Sequence, residues 1–166
     1  YDTRPNYEQD WTAGLSVDQG DINNPEYAFD GDLTTACNSV QNGATISWSP
    51  TTPIEDVIKF EIYRKDSGNA DNNARLNNAG DFIPFPQATW TTLYEGVAIT
   101  VDNLQLPAIN RNNALIGAVR VNDRILIDGP ANNSRDWSNS SSPDRAATAG
   151  SLNQLFSGVT TPGAEN

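Results

Sequence analysis

The sequence predicts an all-β antiparallel sandwich. Gly, Pro, Asn, Asp, Ser and Thr punctuate the chain every few residues, which suits short strands joined by turns. Asn alone accounts for 20 of 166 residues. Between these punctuation points, apolar and polar side chains alternate at the period of two that marks a half-buried strand. The length suits one domain with extensions, and it is long enough to bury a core. The hydrophobic share of 37% is low for a globular protein, so the predicted core is narrow.

The elements follow in chain order. Residues 1–10 are polar, contain Pro5 and read as an N-terminal linker or arm. Strand texture begins at Trp11 and defines a module over residues 11–128. "ATISWSP" sets Ala44, Ile46 and Trp48 against Thr45, Ser47 and Ser49. "DVIKFEIYR" sets Ile58, Phe60 and Ile62, expected inside, against Lys59 and Glu61, expected outside. The stretch 65–87 is Asn-rich and reads as one long connection. "TWTTLYEG" and "VAITVDNLQL" supply further strands, with Val97, Ile99, Val101, Leu104 and Leu106 as core positions. Trp48 and Trp90 lie in strand-like segments and are expected in the core, and Trp11 is expected to close one end of it. "AVRVNDRILIDG" reads as a hairpin turning at Asn122-Asp123, because both residues tolerate the positive φ that a two-residue turn requires. Residues 129–166 are rich in Ser, Asn and Ala and form a low-complexity arm.

Composition narrows the chemistry. The net charge of −11, with only two lysines, repels phosphate backbones and argues against nucleic acid as partner. Such an excess of acid suits solubility, or cation binding in a salty medium. No apolar stretch is long enough to span a membrane. The chain holds no histidine, which removes His-dependent triads, His bases and His metal sites. Cys37 is the single cysteine, so there is no internal disulfide, and without a histidine base it is a poor nucleophile. No separated carboxylate pair stands out, so no catalytic residue is assigned. The chain begins at Tyr1 rather than Met and reads as a processed product or a fragment.

One loop concentrates site chemistry. "AFDGDLTT" places Asp30 and Asp32 on either side of Gly31, with hydroxyls at Thr34 and Thr35. Three readings are open. The carboxylates can bond nearby backbone N–H groups in a tight turn. They can supply oxygen ligands to a hard cation such as Ca²⁺. A hydrolytic pair is the third, although residues two apart in one loop rarely reach the roughly 5–9 Å separation across a glycosidic bond.

The same residues carry a resemblance. Ala28, Asp30, Gly31, Asp32 and Thr35 resemble the signature of discoidin-like, or coagulation-factor type C, modules. These are galactose-binding-like jelly rolls that also occur as carbohydrate-binding modules. The resemblance implies a structural calcium with Asp30, Asp32 and Thr35 as ligands, completed by a carboxylate near the last strand, for which Asp123 is the candidate, with Asn122 beside it. Where the family usually has tryptophan, this chain has Cys37.

A second resemblance spans residues 11–128. The ordered series "WTAGLS … AFDGDLTTA … ATISWSP … FEIYR … WTTL … AVRVNDRILIDG" is similar to modules in structural proteins of marine and cyanobacterial phages. It implies a non-enzymatic virion-surface component: a tail fibre, a tail-associated protein or a capsid decoration. Its partners would be other virion proteins and further copies of itself, with a host-surface glycan as ligand. The alternative is a secreted carbohydrate-binding module of a larger glycan-active enzyme. In the arm, Trp137, Leu152, Leu155 and Phe156 are the large apolar side chains, and docking on a neighbouring subunit is their expected role. Asn132 and Asn139 fit the N-x-Ser acceptor pattern, which matters only in a eukaryotic secretory setting.

Overall fold

The computed structural model describes residues 9–66, 72–108 and 113–129. The chain divides into two units, Tyr1–Ala131 and Asn132–Asn166, and the first holds all the described residues. Trp137, Leu152, Leu155 and Phe156, with Asn132 and Asn139, lie outside them.

Every strand pairing is antiparallel, and the described elements are strands and two short 3-10 turns. The strands are β1 (Leu15–Val17), β2 (Ile22–Asn23), β3 (Cys37–Ser39), β4 (Thr45–Trp48), β5 (Ile54–Arg64) and β6 (Asn72–Leu76). They continue with β7 (Ile83–Phe85), β8 (Thr89–Val101), β9 (Leu104–Pro107), β10 (Leu115–Ile116), β11 (Ala118–Val121) and β12 (Arg124–Ile125). One sheet runs β1-β4-β9-β6-β7 and the other β12-β11-β5-β8, with a small third sheet, β10-β3-β2. The two large sheets share one core, so the fold is the antiparallel β-sandwich that the alternation predicts.

That core is dominated by β-branched, leucine and aromatic side chains. Ile46, Trp48, Leu104 and Leu106 from one sheet meet Phe60, Ile62, Val119 and Val121 from the other, all fully buried. The Trp48 and Phe60 rings lie 6.4 Å apart, and Trp11 and Phe29 flank Trp48 at 6.0 and 5.4 Å. The indole N–H of Trp48 donates to the Trp11 carbonyl at 2.9 Å, which satisfies the polar end of a buried ring.

The hairpin turns where its residues allow. Asn122 and Asp123 adopt φ of +49° and +64°, and Val121 pairs directly with Arg124. Asn122 also acts at a distance. Its side-chain oxygen accepts the N–H groups of Ile58 (2.9 Å) and Lys59 (3.1 Å), while its amide donates to the Asp56 carbonyl.

Those contacts mark a bulge, and the bulge corrects two expectations. Val57 pairs with Ile99 and Lys59 with Glu95, so one residue of β5 faces three of β8. The slip turns Val57 into the core and leaves Ile58 53% exposed; on β8 it leaves Val97 84% exposed. Phe60 and Ile62 remain inside, but Glu61 is also buried, at 5% exposure, because it lies under Arg120 on the outer face. The stretch 65–87 is not one long connection either. It contains β6 and β7, whose inward residues are Asn72, Ala74, Leu76 and Phe85.

Candidate functional site

The loop after the second 3-10 turn (Pro25–Ala28) is organised by its own side chains. Asp30 Oδ1 accepts the Asp32 N–H at 2.8 Å, and Asp30 Oδ2 accepts the Thr35 hydroxyl at 2.8 Å. Asp32 Oδ1 accepts the Thr34 N–H (2.8 Å) and the Thr34 hydroxyl (2.7 Å). These bonds hold the Asp32 carboxyl below its usual value, with the Thr34 N–H the largest cause and Lys65 adding a smaller pull. Gly31 sits at φ +80°, a conformation that favours glycine; a Cβ there would lie 2.9 Å from Ile127 Cδ1, the end of a half-exposed side chain that can move aside.

Asp30, Asp32 and Thr35 are therefore brought together. Asp123 is engaged elsewhere: its Oδ1 accepts from Lys59 Nζ at 3.0 Å on the hairpin. Among the described residues, no group of three or more His, Cys, Asp or Glu side chains is placed to hold a metal. Cys37 is buried, and burial together with the Glu26 charge pushes its thiol up to about 12. It is a protonated core side chain at neutral pH.

A different carboxylate has the sequence-end contact to the fold. Asp128 Oδ1 accepts the N–H groups of Trp11 (2.7 Å) and Thr12 (3.1 Å), and Oδ2 accepts the Thr12 hydroxyl at 2.6 Å. Its own N–H donates to the Phe29 carbonyl at 2.9 Å. Asp128 thus ties the start of the module, its last strand and the Asp30 loop.

The outer face of the four-stranded sheet carries a second constellation. Side chains of a strand alternate between faces. Burying Phe60 and Ile62 therefore turns Lys59, Glu61 and Tyr63 outward. Across the ladder, Tyr63 pairs with Trp90, while Glu61 pairs with Thr92 on β8 and with Arg120 on β11. Arg120 Nε bonds Glu61 Oε2 at 2.6 Å, and its guanidinium carbon lies 4.2 Å from the Trp90 ring centroid. Tyr63 packs against the same ring at 5.4 Å. Lys59 Nζ lies 3.5 Å from Glu61 Oε1 and bridges to Asp123. The Lys59 and Arg120 side chains are 26% and 24% exposed, so the strip meets solvent. The Arg120 bond, with the two nearby cations, holds Glu61 below the usual carboxylate range. The Asp123 bond raises Lys59, and Glu61 raises Arg120.

Trp90 is thus half-buried on the outer face rather than in the core. A strand aromatic is equally compatible with either face; what would have assigned it is the bulge-corrected register with Tyr63.

A groove of about 310 Å³ opens between the β6–β7 turn and β8, walled by Leu76, Ile83, Leu93, Tyr94 and Ile99. Its polar groups are largely engaged within the fold. Asn77 donates to the Thr100 carbonyl and accepts from the Asp102 and Asn103 N–H groups, and the Tyr94 hydroxyl donates to the Val97 carbonyl. The outer face therefore offers the richer set of polar and aromatic contacts.

No family model and no curated protein matches the chain. Solved structures with a similar course include carbohydrate-binding modules. A family 32 module of NanJ from C. perfringens, solved with galactose, has a TM-score of 0.44 at 14% identity, over 67% of this chain and 95% of that one. The xylan binding module CBM86 from Roseburia intestinalis has 0.42 at 14% identity, over 66% and 91%. A pectin binding module has 0.40 at 12% identity, over 70% and 94%.

Proposed function

We propose that the chain is a non-catalytic β-sandwich module that binds glycan on the outer face of its four-stranded sheet. We place it on the surface of a phage particle, among other virion proteins and further copies of itself. The observation that carries the glycan reading is the Tyr63–Trp90 pair beside Arg120, Glu61 and Lys59 on a solvent-facing strip. A sugar ring has an apolar C–H face and a rim of hydroxyls. An aromatic pair suits the first, and charged donors and acceptors suit the second. The virion setting rests on the ordered resemblance over residues 11–128. A secreted module of a glycan-active enzyme would use the same strip.

A glycan array probed with the purified chain tests this reading. Binding is expected for the native chain and lost in Trp90→Ala, with a melting curve showing that the variant is folded at the assay temperature. Equal binding by both proteins would remove the strip from the proposal, and an empty array would remove glycan binding. Immunogold labelling of intact particles tests the setting.

A structural Ca²⁺ in the Asp30 loop is a separate part of the proposal, with Asp30, Asp32 and Thr35 as side-chain ligands. A cation bound only to the native state raises its stability by mass action. Chelator should then lower the melting temperature, with recovery on added Ca²⁺. Identical melting curves across Ca²⁺ concentrations would leave the loop as a hydrogen-bonded turn alone.

A further inference from the structure

We infer that the outer strip takes a linear, uncharged glycan laid along β5, rather than a single terminal sugar or an acidic polysaccharide. This rests on the glycan reading of the same face and adds the ligand's length and charge.

The first ground is shape. Outward positions on a strand recur every two residues, at about 6.6–6.8 Å. Lys59, Glu61 and Tyr63 are three successive outward positions of β5, so the row is roughly 13–14 Å long. Trp90 lies beside Tyr63 at one end, Arg120 and Thr92 flank Glu61 in the middle, and Asp123 meets Lys59 at the other end. These contacts form a strip along a sheet, not the wall of a pocket. One pyranose ring could engage only one station of it. A chain running parallel to β5 can stack on the aromatic end while its later hydroxyls reach Arg120 and Lys59, the two partly exposed polar side chains of the row.

The second ground is charge. The strip carries two cations, Lys59 and Arg120, and three acids, Glu61, Glu95 and Asp123. Both cations already face acids at 2.6–3.5 Å. Lys65 lies beyond the end of β5, past the Tyr63–Trp90 end of the strip. The strip thus has no excess of positive charge, and the chain as a whole stands at −11. A uronate or sulfated chain would meet repulsion with no spare cation to offset it. Neutral hydroxyls can share the remaining N–H groups of Arg120 and Lys59 without separating the ion pairs.

Calorimetry with xylo-, cello- and manno-oligosaccharides of one, three and six residues tests length, and oligoguluronate of matched length tests charge. At least one neutral hexamer is expected to bind tenfold or more tighter than its monomer. Its affinity should change little between low and high salt, and the acidic hexamer should bind at least tenfold more weakly. Lys59→Ala should weaken the hexamer by a larger factor than the monomer, because Lys59 stands at the far end from the aromatic pair. Trp90→Phe serves as a second variant if Trp90→Ala unfolds.

Binding that depends on Trp90 but not on chain length would keep the face and overturn the linear-chain inference. Preference for oligoguluronate, weakened by salt, would overturn the neutral-ligand inference. Binding insensitive to both Trp90 variants, or absent across the panel, would overturn the face itself, leaving the Lys59–Glu61–Arg120 network as a fastening of the sheet.

Discussion

Asn122 does two jobs that a turn glycine could only half perform. It adopts positive φ, and its side chain satisfies three backbone groups around the β5 bulge. Asn122→Gly keeps the turn but strands two N–H donors, and should cost about 1–2 kcal/mol. Asp123→Gly removes an exposed ion pair and relieves a positive φ, so its net effect should stay within about 1 kcal/mol. Urea titration of the two variants separates these roles, and equal costs would mean the bulge does not need its pin. The same comparison applies inside. Phe60→Ala empties a fully buried aromatic site and should cost about 3–5 kcal/mol, whereas Ile58→Ala, half in water, should cost less than about 1 kcal/mol. Parity along β5 alone would have given both residues the same cost.

Strand β5 shows what a sequence pattern can and cannot carry. Alternation identifies a strand, and Ala44, just before β4, with Ile46 and Trp48 on it, follow it without exception. It fails where one strand gains residues relative to its partner, because the pattern is local and the bulge belongs to a pair. Strands β6 and β7 escaped for another reason. Their inward residues include Asn72 and Ala74, which carry little hydrophobic signal, and asparagines surround them. The outer strip was legible as residues but not as a site, since only the pairing of β5 with β8 and β11 brings Trp90, Glu61 and Arg120 together. The charge network there predicts a pH response. Glu61 is lower in the folded state, so its contribution is complete above the ordinary glutamate value of about 4.3 and is lost as pH falls through its own lower value. Lys59 is raised, so its contribution is complete below about 10.4 and is lost as pH rises through its higher value. Between those limits the network should add no slope to a plot of stability against pH. Glu61→Gln should flatten the acid limb and leave the neutral plateau level; an unchanged acid limb would assign it to other carboxylates, Asp32 first among them.

At the scale of the whole module, the sequence predicted the sandwich and its turns, and it pointed to the Asp30 loop. It did not reveal that Asp128 would clasp the module's first residues, since a carboxylate over 110 positions away in sequence leaves no local mark. Three hydrogen bonds converge on that one carboxylate. Asp128→Ala should therefore cost about 1.5–3 kcal/mol, the range for bonds to a charged group. Asp128→Asn should cost less, because its remaining oxygen can still accept. Equal losses would mean that the charge, not the geometry, holds the clasp.

The clasp also sets how the module would respond to tension on its two ends. Gly129 N–H donates to the Gln9 carbonyl, so the chain enters and leaves the sandwich at one point. Tension along the polypeptide then passes through Asp128 and its neighbours, and the sheets hang beside the line of force. While folded, such a module adds almost nothing to the reach of a polypeptide pulled from both ends. If the clasp parts and the sandwich follows, residues 9–129 pay out roughly 400 Å of chain, at about 3.3–3.6 Å each. A few polar contacts around one carboxylate would thereby act as a mechanical fuse.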